Sequence, residues 1–282
     1  MALPEYPFAS QFFTHPDQLR QHYLDEGRGA PVLMLHGNPS WSYYYRRVIA
    51  GLRDSYRCIV PDHIGMGFSD KPGDDRYPYR LERRVEDLER LMQFLIDERG
   101  LPATGHTLVV HDWGGAIGSG WAVRRPERVG RIVIFNTGAF RSPHIPLRIA
   151  LCRTPVLGTF IVRALNGFAG PAVWMSMNNR KLTRDERRGF LFPYNSWGNR
   201  VAVNAFVKDI PMEDDHPSYK TLVEVELGLK ELHPKPVRLI WGGADFCFDM
   251  RFFMRWQKIF PHAQHYYMPE AGHYVIDDSA PT

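Results

Sequence analysis

The chain has 282 residues, 44% of them hydrophobic and 23% charged, and a formal net charge of +4. That is enough apolar sequence for one large α/β domain, or a core domain with an insertion, and too mild a charge to imply a nucleic-acid partner. Three well-separated cysteines (Cys58, Cys152, Cys247) exclude a disulfide framework and a paired-cysteine metal motif.

The N-terminus, with Pro4, Glu5, Pro7 and Asp17, has no apolar run of signal-peptide length. No stretch approaches the ~18 uninterrupted apolar residues of a transmembrane helix, and the few, scattered cysteines suit a reducing cytoplasm. In chain order, Val32-Leu-Met-Leu35 is a short apolar run ending at His36-Gly37, and Tyr56-Arg-Cys-Ile-Val60 ends at Pro61-Asp62. Arg84 to Gly100 places Val85, Leu88, Leu91, Met92, Leu95 and Ile96 on one helical stripe, stopped by Gly100. Thr107-Leu-Val-Val110 ends at Asp112, and a helix from Gly114 to Arg125 stops before Pro126. Arg131-Ile-Val-Ile-Phe135 ends at Asn136, and Val237-Arg-Leu-Ile-Trp241 at Gly242. Continuously apolar runs suit parallel strands buried on both faces. Their alternation with helices predicts a doubly wound, mostly parallel sheet, with polar motifs at strand C-termini, where ligands bind in such sheets.

From Ala139 to His216 the rhythm fails: the segment is rich in prolines, aromatics and arginines and holds no convincing strand. A helical cap over 139–216 is expected, inserted between core segments 1–138 and 217–282. The cap carries 11 Lys/Arg against 6 Asp/Glu, so the basic surplus sits there. A solvated helical surface is the plainer reading; a docking face for an acidic partner is the sharper one.

The segment Leu108-Val-Val-His-Asp112-Trp113-Gly-Gly115 runs a buried strand into a glycine turn and a helix. That is the pattern of a nucleophile elbow with aspartate where serine is usual. A carboxylate there would attack a carbon bearing a leaving group and form an alkyl ester. An aspartate capping the next helix explains the octet equally well. Three further groups bear on the choice. His273, in Ala271-Gly-His-Tyr, follows the last strand and completes the order nucleophile, acid, histidine. Asp245, after the strand ending at Gly242, is the acid to orient it; Asp249 is the alternative and reads better as a helix cap. The Asn38 amide and the Trp113 indole N–H are neutral donors that could converge on one anion. Gly65-Met-Gly67 reads as a turn, His262 and His265 as solvent-facing, and Cys247 as a pocket-lining residue. No metal or cofactor is expected.

His36-Gly-Asn-Pro-Ser-Trp41, Pro61-Asp-His-Ile-Gly-Met-Gly67, His111-Asp-Trp-Gly-Gly115 and Gly272-His273 resemble the haloalkane dehalogenase group of α/β-hydrolases. Two further stretches, Phe192-Pro-Tyr194…Trp197-Gly-Asn-Arg200 leading to Asp209-Ile-Pro211, and Asp245-Phe-Cys-Phe-Asp249, are similar to the OleB-type β-lactone decarboxylases of bacterial olefin biosynthesis. The resemblance implies an α/β-hydrolase fold, a triad of Asp112, Asp245 and His273, and an anion pair of Asn38 and Trp113. It implies a cis-3,4-dialkyl-β-lactone substrate giving an alkene and carbon dioxide, and membership of a multienzyme assembly. The family normally continues into a last helix covering the sheet, whereas this sequence ends nine residues after His273, so either the sequence is truncated or that helix is missing. A haloalkane dehalogenase needs the same five residues, and a non-catalytic binding module is the alternative of another class. In the cap, Phe168, Trp174, Phe190 and Phe192 are expected to line or support a long pocket. Arg180, Lys181, Arg184, Arg187 and Arg188 are expected to face outward.

Overall fold

The computed structural model describes residues 3–279. The predicted apolar runs become the strands β3 (Ala30–Leu35), β4 (Tyr56–Pro61), β5 (His106–Asp112), β6 (Val129–Thr137) and β7 (Val237–Gly242). They form one eight-stranded sheet with β1 (Gln11–Thr14), β2 (Arg20–Glu26) and β8 (Gln264–Met268), in the order β1-β2-β4-β3-β5-β6-β7-β8. Strands β3 to β8 pair in parallel; β1 and β2 add an antiparallel edge. Sequence periodicity did not single out β1 or β2. Their buried side chains include His15, Gln21 and His22 nearby or within them, held by hydrogen bonds rather than by apolar contact.

The continuous apolarity of β3 and β5 follows from burial on both faces: Leu33, Met34, Leu35, Leu108 and Val110 are all essentially inaccessible. Helix Leu81–Arg99 supplies one covering layer and ends at Gly100 in the left-handed conformation (φ 62°). Helix Trp113–Arg124 packs against it and runs along β5 and β6.

Among the described residues, 139–216 contain no strand. Helices Leu147–Arg153, Val156–Thr159, Ala169–Met175, Arg184–Leu191 and Val201–Lys208, with a π-turn at Phe160–Ala164, lie between β6 and the core helix Tyr219–Gly228. Helix Arg184–Leu191 starts with a reciprocal capping box between Thr183 and Glu186. Among the described residues, no single helix is long and apolar enough to cross a membrane.

Candidate active site

Asp112 ends β5 and precedes helix Trp113–Arg124 with φ 50° and ψ −127°, a conformation a non-glycine residue adopts only under strain. The surrounding sequence makes that turn possible. A Cβ at Gly114 would strike the carbonyl of Leu35, and one at Gly37 would strike the Asp112 carboxylate itself. Thr137, at the end of β6, donates its hydroxyl to the Asp112 carbonyl. The elbow is thus fixed from three strands, and its side chain stands above the sheet.

His273 approaches from the loop after β8. Its Nε2 lies 3.8 Å from Asp112 Oδ2, and its Nδ1 donates to Asp245 Oδ2 at 2.8 Å. The other Asp245 oxygen accepts the Cys247 backbone N–H at 2.7 Å, which locks the carboxylate in the turn after β7. Behind the histidine, His111 donates from Nε2 to the His273 carbonyl at 2.9 Å and its ring lies 4.5 Å away. Phe248 stacks on the His273 ring at 5.8 Å. All three members of the Asp112–His273–Asp245 group are buried.

Burial pushes the Asp112 carboxyl above the ordinary carboxylate range, partly offset by His273 and by the backbone N–H groups of Asn38 and Trp113. For His273 burial works downward, but Asp245 and Asp112 outweigh it, and the imidazole sits above its ordinary value. Burial thus leaves the Asp112 oxygens poorly hydrated, beside an imidazole whose proton is favoured by two neighbouring carboxyl groups.

The backbone N–H of Asn38 donates to Asp112 Oδ1 at 2.6 Å. Its side-chain Nδ2 donates to the Val203 carbonyl at 3.1 Å, so one N–H of the amide is held by the cap helix. The Trp113 ring meets Phe206 edge-on at 5.6 Å. Asn38, Trp113, Asp112 and His273 all line one cavity of about 420 Å³, a size suited to a small-molecule ligand. The remaining lining is mostly apolar, including Phe140, Ile149, Phe168, Leu222 and Phe252, with His144 and Arg148 among its few polar side chains.

The structure brings Asp112, His273, Asp245, Asn38 and Trp113 together. Asp249 lies apart from the histidine and caps helix Met250–Ile259 by accepting the Arg251 backbone N–H. Cys247 lines the cavity, and burial raises its thiol well above the usual range, which keeps it protonated. Gly65 and Gly67 form a positive-φ turn, and His262 and His265 are exposed. No group of three metal-ligating side chains occurs among the described residues.

The expectations for the cap need correction. Of the four aromatics, Phe168 lines the cavity. Phe190 is buried beneath it, stacked on Tyr274 at 4.7 Å, next to the His273 loop. Trp174 and Phe192 are instead exposed: Trp174 sits under the Arg187 guanidinium, and Phe192 packs edge-on against Phe68. Nor are all five basic residues free. Arg180 is paired with Glu186 at 2.7 Å, and Arg187 bonds the Leu182 carbonyl, leaving Lys181, Arg184 and Arg188 exposed.

Sequence reasoning did not single out Arg84. Its guanidinium lies 3.6 Å from the Phe206 ring centroid and 4.9 Å from that of Trp113, paired with Asp209 at 2.8 Å. Its place on the polar side of a helical stripe gave no sign that the cap would close over it.

A family model described as the α/β-hydrolase fold matches residues 30–280. A cis-3-alkyl-4-alkyloxetan-2-one decarboxylase of Shewanella oneidensis is 42% identical over 97% of this chain and 85% of its own length. A protein of the same name from Xanthomonas campestris pv. campestris is 41% identical over 99% of this chain and 94% of its own. Among solved structures, a haloalkane dehalogenase from Agrobacterium tumefaciens superposes with a TM-score of 0.80 at 26% identity, covering 96% of this chain and 92% of that one.

Proposed function

The chain belongs to the α/β-hydrolase family, and on that premise we propose that it is an enzyme, a β-lactone decarboxylase that converts a cis-3-alkyl-4-alkyloxetan-2-one to a cis-alkene and carbon dioxide. The observation that carries this reading is a strained, buried aspartate beside a histidine–aspartate pair, opening into an apolar cavity. The 41–42% identity to two decarboxylases over nearly the whole chain, against 29% to a haloalkane dehalogenase of Mycobacterium tuberculosis over 97% of it, favours the lactone over a haloalkane.

In the proposed route Asp112 Oδ2 attacks the alkyl carbon of the strained ring. The ring C–O bond breaks, and its electron pair leaves on a carboxylate received by the free N–H of Asn38 and the indole N–H of Trp113. The C–C bond to that carboxylate then breaks, its electrons form the alkene, and Asp112 departs from the neighbouring carbon as free carboxylate. Inversion at the attacked carbon followed by anti departure preserves cis geometry. No water is consumed and no net proton moves. His273, held in place by Asp245, keeps a positive charge against the carboxylates at each stage instead of activating water. The cavity supplies the hydrophobic substrate site, each buried methylene contributing roughly 0.8 kcal/mol. Membership of a multienzyme olefin-forming assembly is part of the same reading, with Lys181, Arg184 and Arg188 as exposed docking cations.

The test is turnover of a cis-dialkyl-β-lactone and a brominated alkane by the same preparation in ¹⁸O-water. Alkene and carbon dioxide from the lactone, with no ¹⁸O entering Asp112, are expected. Bromide release without alkene formation would assign the site to dehalogenation.

A further inference from the structure

The cap carries an apolar surface that the active site does not use. Leu147 is 86% exposed, Val156 83%, Leu165 64%, Leu157 54% and Phe160 53%. Single exposed leucines are ordinary, but six large apolar side chains, Leu151 included, within nineteen residues of adjoining short helices are not. Helix Leu147–Arg153 presents Leu147 and Leu151 outward one turn apart, while Ile149 and Cys152 point into the cavity. The adjoining helices Val156–Ala164 and Ala169–Met175 are together apolar enough for a membrane span, yet they are bent by 72° and part of their apolar surface lies outside the fold.

The charge pattern of the same stretch has one sign. From Arg141 to Arg184 there are seven Lys/Arg and no Asp or Glu. Arg148 is exposed at the cavity wall, its guanidinium 4.9 Å from the Phe246 ring centroid. Arg163 lies over the exposed Trp197 at 4.5 Å, a pairing of cation and indole suited to a membrane interface. Arg141, Arg153 and Arg180 are paired with Glu226, Glu213 and Glu186, which leaves Arg148, Arg163, Lys181 and Arg184 as cations in no ion pair among the described residues. Protruding apolar side chains with such cations among them are the composition of a surface that lies on anionic lipid. An acidic protein partner would match the cations but leave the protruding leucines unexplained.

The cavity reaches this surface. Pro146, Arg148, Gly167 and Pro171, from the same stretch, line it, and Arg148 and Pro171 are exposed. We propose that the cap seats this protein on an anionic bilayer, with Leu147, Val156, Leu157, Phe160 and Leu165 at the headgroup boundary, so that an alkyl substrate enters the cavity from the lipid. Membrane seating stands on this surface alone; only the entry of a lactone rests on the functional reading above.

The test uses the full chain with phosphatidylcholine vesicles and with vesicles of phosphatidylcholine and phosphatidylglycerol in equal parts. Co-sedimentation with the anionic vesicles, weakened by added salt, is expected. The triple variant Leu147→Ser, Val156→Ser, Leu165→Ser changes only exposed side chains. It should lose vesicle binding by at least tenfold, about one order in partition for the apolar area removed, with an unchanged melting transition. Its turnover of detergent-dispersed lactone should stay near wild type, while turnover of vesicle-embedded lactone falls. Failure of the wild type to bind anionic vesicles, or equal binding by the triple variant, overturns the proposal. So does a variant that alters only the solution mass, since the occupant would then be a second copy of the chain. Vesicle binding is read without turnover, so failure of the lactone reading would show separately.

Discussion

In the proposed reaction Asp112 would act through its backbone, which holds the strained turn, as much as through its carboxylate. Asp112→Ala should abolish alkene formation while leaving the fold intact, because the side chain points into a cavity and not into the core; circular dichroism and product assay together check this. Gly37→Ala is a subtler variant. Its new methyl group would occupy the space of the Asp112 carboxylate, so kcat should fall at least a hundredfold, an effect typical of a misplaced reacting group. The histidine separates two chemistries. With His273→Gln, a bromoalkane should leave an alkyl ester on Asp112, visible by intact mass, because the water-activating base is gone. Absence of that adduct with every electrophile would deny Asp112 its role. The pH profiles follow from the directions of the shifts. Lactone turnover needs Asp112 ionised, and burial raises its carboxyl, so activity should fall on the acid side above the ordinary carboxylate range. Hydrolysis of a bromide needs neutral His273, which its carboxylate neighbours raise above 6.5, so that limb should lie at higher pH. Coincident limbs for kcat, which for the bromide includes hydrolysis of the ester, would contradict a water-free route.

Between the elements, two buried carboxylates act as ties. Asp62, after β4, accepts the His22 ring N–H, the Ser42 backbone N–H and the Phe68 backbone N–H at 2.8, 2.7 and 2.9 Å. Burial works to raise its pKa, but the His22 charge and these donors outweigh it and hold the carboxyl at about 2, against 3.8 in an unfolded chain. A depressed folded value means the contribution is present above about pH 4 and lost as the pH falls toward 2; it amounts to roughly 2 kcal/mol. Urea midpoints between pH 5 and 2 should show that loss, and Asp62→Asn should remove its pH dependence. Asp209, at the end of helix Val201–Lys208, accepts from Arg84, Arg80 and Ser218 at 2.8, 3.2 and 2.6 Å. Asp209→Ala leaves the Arg84 cation buried and unpaired beneath Trp113, which should cost about 3–5 kcal/mol in chemical denaturation. Undiminished stability would show that the Asp209 ion pair does not help to hold the cap to the core.

At the scale of the molecule, residues of the core and of 139–216 line one cavity, and in the proposed reaction its shape would set selectivity. Each methylene added to the substrate should raise kcat/KM about fourfold until the apolar cavity is full, as expected for roughly 0.8 kcal/mol per group. Filling the cavity from its cap wall with Ala172→Phe should shift the preferred chain length downward without changing the reaction. A length series assayed by alkene release checks both; an unmoved optimum would place the alkyl chains elsewhere.

The sequence by itself determined the parallel strands, the elbow at Asp112, and the positions of Asp245 and His273 at strand ends. Each depends on a local pattern: an unbroken apolar run for a strand buried on both faces, and glycine or a carboxylate where that run stops. The contacts among Asp112, His273 and Asp245 bridge loops far apart in the chain, so their distances came only with the folded sheet. The cap was legible as helical but not in its orientation. In helix Leu147–Arg153 both faces are apolar, and periodicity alone does not say that Ile149 and Cys152 face the cavity while Leu147 and Leu151 face out. Trp174 and Phe190 are equally apolar, yet one is exposed and the other buried against Tyr274. Arg180 and Arg184 are equally charged, yet Arg180 is consumed by Glu186. In each case the side chain's chemistry admits two surroundings, and only packing against distant residues selects one of them.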